Sequence, residues 1–563
     1  MRRLLMVFCV VTLVGSVLAA SKPPAASFSV VEAGIPEMQA ALEANRVTSR
    51  QLVQQYLVRI ATYEDKLHAA ITINPKALEE ADARDRERKE KHLRGPLHGI
   101  PIAIKDNIQT TDLPTTGGAL AFDGFVPPYE ATLVKNLREA GAIILAKTQM
   151  TELANFVASG MPGNYNAVSG YGMNPYDPRR DPREATADGR PILTVAGSSS
   201  GIGTTANLWA ASVGTETSGS ILTPSSYTML VGIKPTVGRI SRYGVIPITA
   251  DQDTAGPMAK TVTDAAILLG VLEGKSPDPQ DPVDTACGRP GDYRRFLNRA
   301  GLKGARIGIP RAFFYNKVAI PGEKEPDGGL NPDQAKLMDE AIAVLKREGA
   351  VIIDPADLPS ILAPEAGDNL LKWGPCGGYD EAKGKDADCS VVLKYGMKRD
   401  FNKWLASLGA AAPVKTLTEL RLWNVAHQRG GAIKYGQAQL DISDEMNVET
   451  DRPRYEADLA KNLRLTAKEG IDSVMDREKL DALLFPSSSG CWVSAMPGYP
   501  TVIVPLGFVP NAPTPPFPAG VEAKPSPYGV SFAGKACSEP RLIELAYAFE
   551  QATKRRVPPP FAP

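Results

Sequence analysis

Apolar residues recur at helical spacing after residue 48, where Leu52, Val53, Tyr56, Leu57 and Ile60 share one face and Thr48 with Gln51 fits a capping box. The pattern predicts a helix packed on a core. Two later stretches, 132–147 and 336–354, repeat one grammar: an amphipathic helix, a glycine (Gly141, Gly349) past its end, then a short Ile-rich strand. Units of this kind argue for a largely parallel sheet covered by helices. Further strands are expected at 99–104, 306–309, 483–485 and 501–506. Ser538 and Pro540 announce a C-terminal helix with Leu542, Leu545, Ala546 and Phe549 inward. The polar, proline-rich stretches 174–190 and 510–527 read as loops. The run 79–91, dense in both acids and bases, reads as a solvated helix face. No repeat and no dividing linker is visible. The expected architecture is therefore one large α/β/α sandwich around a mixed, largely parallel β-sheet, spanning 30–563. Residues 275–480 form a variable, substrate-side region within it.

The first stretch sets a compartment. Arg2 and Arg3 precede an apolar run from residue 4 to 18, and small residues suited to cleavage follow at Ala19 and Ala20. A spanning helix needs about 20 apolar residues; this run is shorter and ends in Ala-Ala-Ser. Residues 1–20 are thus expected to be a cleaved signal peptide, giving an exported protein, periplasmic or secreted, with no stable membrane anchor. Cys287, Cys376, Cys389, Cys491 and Cys537 then remain. A Cys376–Cys389 bridge is favoured by proximity, one thiol must be left over, and the connectivity stays open.

Composition narrows the chemistry. The 563 residues hold 63 Lys and Arg against 63 Asp and Glu, so no field of one sign exists to hold nucleic acid or an anionic membrane. His68, His92, His98 and His427 have no metal-like spacing, and neither a metal nor an organic cofactor is expected.

Three short segments carry candidate reactivity. In GPLHGIPIAIKDNI (95–108), Ile100, Ile102 and Ile104 alternate along a strand that Lys105 ends. A lysine desolvated there loses part of its preference for charge and becomes a base; one that reaches water does not. In AGSSSGIG (196–203), glycines flank three serines at a helix start, and no Lys-Ser or Lys-Thr follows to make a phosphate loop. Gly197 to Gly201 also satisfies the G-x-S-x-G nucleophile elbow, which would pair Ser199 with the downstream His427 in an α/β-hydrolase-like esterase. In VGTETSGSILTP (213–224), the amides around Thr217, Ser218, Gly219 and Ser220 have the makings of an anion-binding nest, as an oxyanion hole requires. Each segment alone also reads as an ordinary polar loop.

Together, in this order, the three segments resemble the amidase signature family of serine hydrolases. The resemblance extends to 231–266, NPYDPRRDP (174–182), GYPTVIVPLGF (498–508) and 538–553, with wording similar to bacterial peptide amidases. It implies an amide hydrolase with a Ser–Ser–Lys triad: Ser220 as nucleophile, Ser198 as bridging serine in a cis peptide, and Lys105 as base. It further implies an oxyanion hole from the amides of Thr217, Ser218 and Gly219. Ser199 and Thr215 would be hydroxyls orienting Lys105. The implied substrate is a small-molecule or peptide amide, a primary amide at a peptide end foremost; one family branch, the glutaminase subunit of a tRNA-dependent amidotransferase, conflicts with export. This chain departs from the family pattern in three places. The Ser198–Ser220 interval is slightly short, Ala196 replaces a glycine, and Leu222 stands where many members carry an arginine, so Glu216 needs another partner. Those departures keep a third reading open, an exported binding protein without turnover. Trp373, Trp404, Trp423 and Tyr435 are candidates to line a substrate pocket, or simply to pack a core.

Overall fold

The fold is that of a computed structural model, which describes residues 28–562 apart from 196, 198, 283–286 and 379–387. The expected signal peptide, 1–20, lies outside the described residues. Eleven strands form one sheet: β1 (Ala70–Ile73), β2 (Pro101–Lys105), β3 (Ile143–Thr148), β4 (Ala211–Glu216), β5 (Val231–Lys234), β6 (Thr254–Ala259), β7 (Arg306–Gly308), β8 (Val351–Ile353), β9 (Ala482–Pro486), β10 (Thr501–Val509) and β11 (Ser526–Ala533). Their order across the sheet is β1-β3-β2-β4-β6-β5-β10-β11-β9-β7-β8.

The sheet is mixed, but less parallel than the helix–strand grammar implied. Parallel pairing is confined to β3–β2–β4 and β9–β7–β8; every other neighbour is antiparallel. The physical reason is connection type. Helices Thr132–Glu139 and Pro332–Arg347 lead into β3 and β8, as parallel crossovers require, whereas β10 returns directly as β11 through the proline-rich loop. The capping box at Thr48 and Gln51 opens helix Ser49–Leu67, whose buried residues include Leu52, Val53, Tyr56 and Ile60.

Strands β2, β3, β4, β5 and β6 are buried at every residue, which explains why they read as continuous apolar runs. A second apolar cluster joins Phe122, Tyr165, Tyr171, Ile246 and Ile248 to residues from the weakly patterned stretch, among them Met397, Phe401, Trp404 and Leu440. That stretch forms the helices Val392–Ser407, Leu417–Ala426, Ala438–Asp444 and Arg452–Leu463. Disulfides join Cys287 to Cys537 and Cys376 to Cys389, leaving Cys491 as the free thiol. No described helix is long and apolar enough to cross a membrane.

Candidate active site

The alternation Ile100-Ile102-Ile104 pulls β2 into the sheet centre, and Lys105 at its end is completely buried. Its Nζ donates to the side chain of Thr215 (2.9 Å) and to the Thr215 carbonyl (3.2 Å) on β4. Burial lowers the ammonium's pKa to about 7, against the opposing pull of the Asp253 and Glu216 carboxylates. An amine in this setting exchanges its proton near neutrality. Asn107 donates to the same Thr215 hydroxyl at 3.0 Å, which pins that oxygen between an amide and the amine.

Strand β4 runs directly into the turn that carries Ser220. Glu216, the last strand residue, is buried and bends its carboxylate under that turn. One oxygen accepts from Gly219 N (2.7 Å), the other from Ile221 N (2.7 Å) and Leu222 N (3.0 Å). Burial raises the Glu216 pKa, while the buried Lys234 and these amides draw it down. The partner missing at Leu222 is therefore supplied by the turn's own backbone and by Lys234. The same contacts correct one expectation. The Gly219 amide, one of the three that the resemblance implied for an oxyanion hole, is committed to Glu216. Thr217 is anchored through its hydroxyl, which donates to Asp253 Oδ1 at 2.5 Å, and its carbonyl accepts from Gln252 Nε2 at 3.3 Å.

The serine-rich loop closes on the turn from the other side. Gly197 has φ of +55°, the left-handed region, and an ideal Cβ built on it would lie 2.6 Å from Ser220 Cα and 3.0 Å from Ser220 Oγ. Only glycine permits both that backbone and that approach. Ser198 and Ala196 lie outside the described residues. Ser199 precedes the short helix Ser200–Thr205 and is completely buried, its hydroxyl without a partner among the described residues. Lys105 takes Thr215, not Ser199, so the expected Ser199 contact to the amine is absent from the described hydrogen bonds.

The elbow reading fails on geometry. A completely buried Ser199 cannot meet substrate, and His427 is exposed at the end of helix Leu417–Ala426, stacked on Trp423 with its Nδ1 at the Trp423 carbonyl. Of the candidate aromatics, Trp373 and Trp404 are buried in the core, whereas Trp423 and Tyr435 are half-buried. Trp404 packs edge-on to Phe122, Trp373 donates to Asn462, and Tyr435 donates to Asp188 at 2.6 Å. Sequence reasoning missed Asn107, Gln252, Asp253 and Lys234. The first was legible as a polar residue straight after an apolar strand; the others need the pairing of β4 with β6 and the fold around Glu216.

Comparison with known proteins closes the identification. Residues 51–543 match the amidase family, and the chain belongs to that family: it is a hydrolase of amide C–N bonds. It is 35% identical over 546 residues to a probable amidase of Arabidopsis thaliana, covering 95% of this chain and 93% of that one. Among solved structures, the peptide amidase from Stenotrophomonas maltophilia is 34% identical, with a TM-score of 0.78 over 94% of this chain and 99% of the other. An amidase family protein from Bacillus anthracis is 30% identical, with a TM-score of 0.76 over 94% and 92%. Family membership and fold also set aside the reading as a binding protein without turnover.

Proposed function

We propose that this amidase is exported and hydrolyses primary amides, those at the end of a peptide or similarly extended molecule, through Ser220, Ser198 and Lys105. The observation that carries the reading is the buried Lys105 amine, held by Thr215 on the strand that delivers Ser220 to the adjoining turn. In this scheme Ser220 Oγ attacks the amide carbon, and its proton passes through the Ser198 hydroxyl to the neutral amine. The carbonyl oxygen becomes an oxyanion facing amides of the turn. Collapse breaks the C–N bond, the relay returns the proton to the leaving nitrogen as ammonia departs, and water then cleaves the acyl-enzyme to the free acid. Similarity to a peptide amidase over nearly the whole chain supports the choice of substrate.

Ammonia release from dipeptide amides tests the scheme. Ser220→Ala is expected to abolish release, Lys105→Ala to leave almost none, and His427→Ala to change little; an active Ser220→Ala protein would overturn it. Export is supported by two disulfides, which persist in oxidising compartments. N-terminal sequencing of the protein from its native host should find a start near Ser21. A protein that retains Met1 inside the cell would contradict export.

A further inference from the structure

We infer that Asp253 is a positioning residue for the oxyanion turn, acting through Thr217 and backed by the helix Val392–Ser407. The inference rests on the assignment of Ser220 and its turn given above. The ladder between β4 and β6 ends with Glu216 opposite Thr254. The next two residues, Thr217 and Asp253, lie beyond the described ladder. Side chains take over at this point: Thr217 Oγ1 donates to Asp253 Oδ1 at 2.5 Å, and Gln252 holds the Thr217 carbonyl. The ladder's register is thereby carried one pair further, into the peptide whose amide must face the developing oxyanion.

Asp253 is itself fixed. Its second oxygen accepts from Ile248 N (2.8 Å) and Thr249 N (2.9 Å), closing the turn 248–253 on the carboxylate. That turn leans on helix Val392–Ser407. Asp400 accepts from Ala250 N at 2.7 Å, Arg399 reaches Asp251 at 3.2 Å, and an ideal Cβ on Gly396 would lie 2.2 Å from Thr249 Oγ1. A mid-helix glycine is less favourable than alanine; here the turn's close approach requires it. The substrate-side helix thus bears on the oxyanion turn through one carboxylate and one hydroxyl.

The carboxylate has a second effect. Lys105 is faced by Asp253 and by Glu216, and both oppose its loss of a proton. Burial raises Asp253's own pKa to about 7, against the Thr217 hydroxyl, the Ile248 amide and Arg242 and with Asp400 adding to the rise, so Asp253 and Lys105 titrate as a pair. Removing the Asp253 charge while keeping its shape should make Lys105 a weaker base that is neutral at lower pH. Asn achieves this, because its oxygen serves the two backbone amides and its NH2 meets the Thr217 hydroxyl.

The test uses full-length protein with a dipeptide amide. Thr217→Val should lower kcat roughly 10- to 100-fold, as expected for a misplaced oxyanion donor, with KM nearly unchanged. Thr217→Ser, which keeps the hydroxyl on Asp253, should restore most of the loss without moving the acid limb of the pH–rate profile. Asp253→Asn should move that limb to lower pH. Gly396→Ala should lower kcat with little change in KM in protein that stays folded by thermal unfolding, and wild-type kcat in this variant would remove the helix from the inference. Thr217→Val with wild-type kcat, or a loss that Thr217→Ser does not rescue, would overturn the inference. An active Ser220→Ala protein would instead overturn the assignment on which it rests.

Discussion

Replacing Gly197 with alanine tests the contact between the serine-rich loop and the turn that carries Ser220. The new Cβ would sit 2.6 Å from Ser220 Cα, 2.9 Å from its Cβ and 3.0 Å from its Oγ. Carbon atoms rest at about 3.5–4.0 Å, so one loop must retreat by roughly 1 Å. Alanine at φ of +55° adds about 1–2 kcal/mol of backbone strain. Overpacking of this kind costs about 1–3 kcal/mol of stability, whereas a nucleophile misplaced by about 1 Å costs on the order of 100-fold in rate. The activity loss should therefore far exceed what partial unfolding explains. The assay is kcat for ammonia release under saturation, with thermal unfolding in parallel. Near-wild-type kcat would refute the claim that Gly197 sets the position of Ser220.

Four further outcomes follow from the site and its surroundings. Because Lys105 must be neutral to accept a proton and its pKa lies at about 7, kcat/KM should rise with pH through about 7 and level above it; activity undiminished well below that point would contradict the assignment. Glu216→Ala leaves the amides of Gly219, Ile221 and Leu222 without their acceptor beside a buried Lys234, and should cost about 3–5 kcal/mol in urea unfolding together with most activity. A Cys287→Ser/Cys537→Ser protein, which opens a sequence separation of 250 residues, should lose about 2–5 kcal/mol of stability by the same measurement. Asp106→Ala strands the completely buried Lys147, whose Nζ lies 3.1 Å from Asp106, and should yield little soluble protein, whereas Asp106→Asn should be milder on expression and melting.

What the sequence disclosed depended on how local the physics was. The capping box at Thr48, the strand ending in Lys105 and the helix before β3 are set by neighbours in the chain, and each stands where its pattern puts it. The proportion of parallel pairing was not legible, because it depends on which strands become neighbours. Asp253 escaped for the same reason: it meets Thr217 only once β6 lies against β4. The helices between 392 and 463 bury small patches on one another and on loops, without a broad stripe against the sheet, so their periodicity is faint. Cys376–Cys389 was suggested by proximity, while Cys287–Cys537 links residues that only the closed fold brings together. Glu216's substitute for the missing arginine at 222 is not legible either, because it is the backbone amides of its own turn.

The most direct test of the central claim is fluorophosphonate labelling of the purified protein, followed by peptide mass mapping. The account predicts a single phosphonylated residue, Ser220, with labelling lost in Ser220→Ala and slowed in Lys105→Ala. Label on Ser199, or labelling that persists in Ser220→Ala, would contradict it.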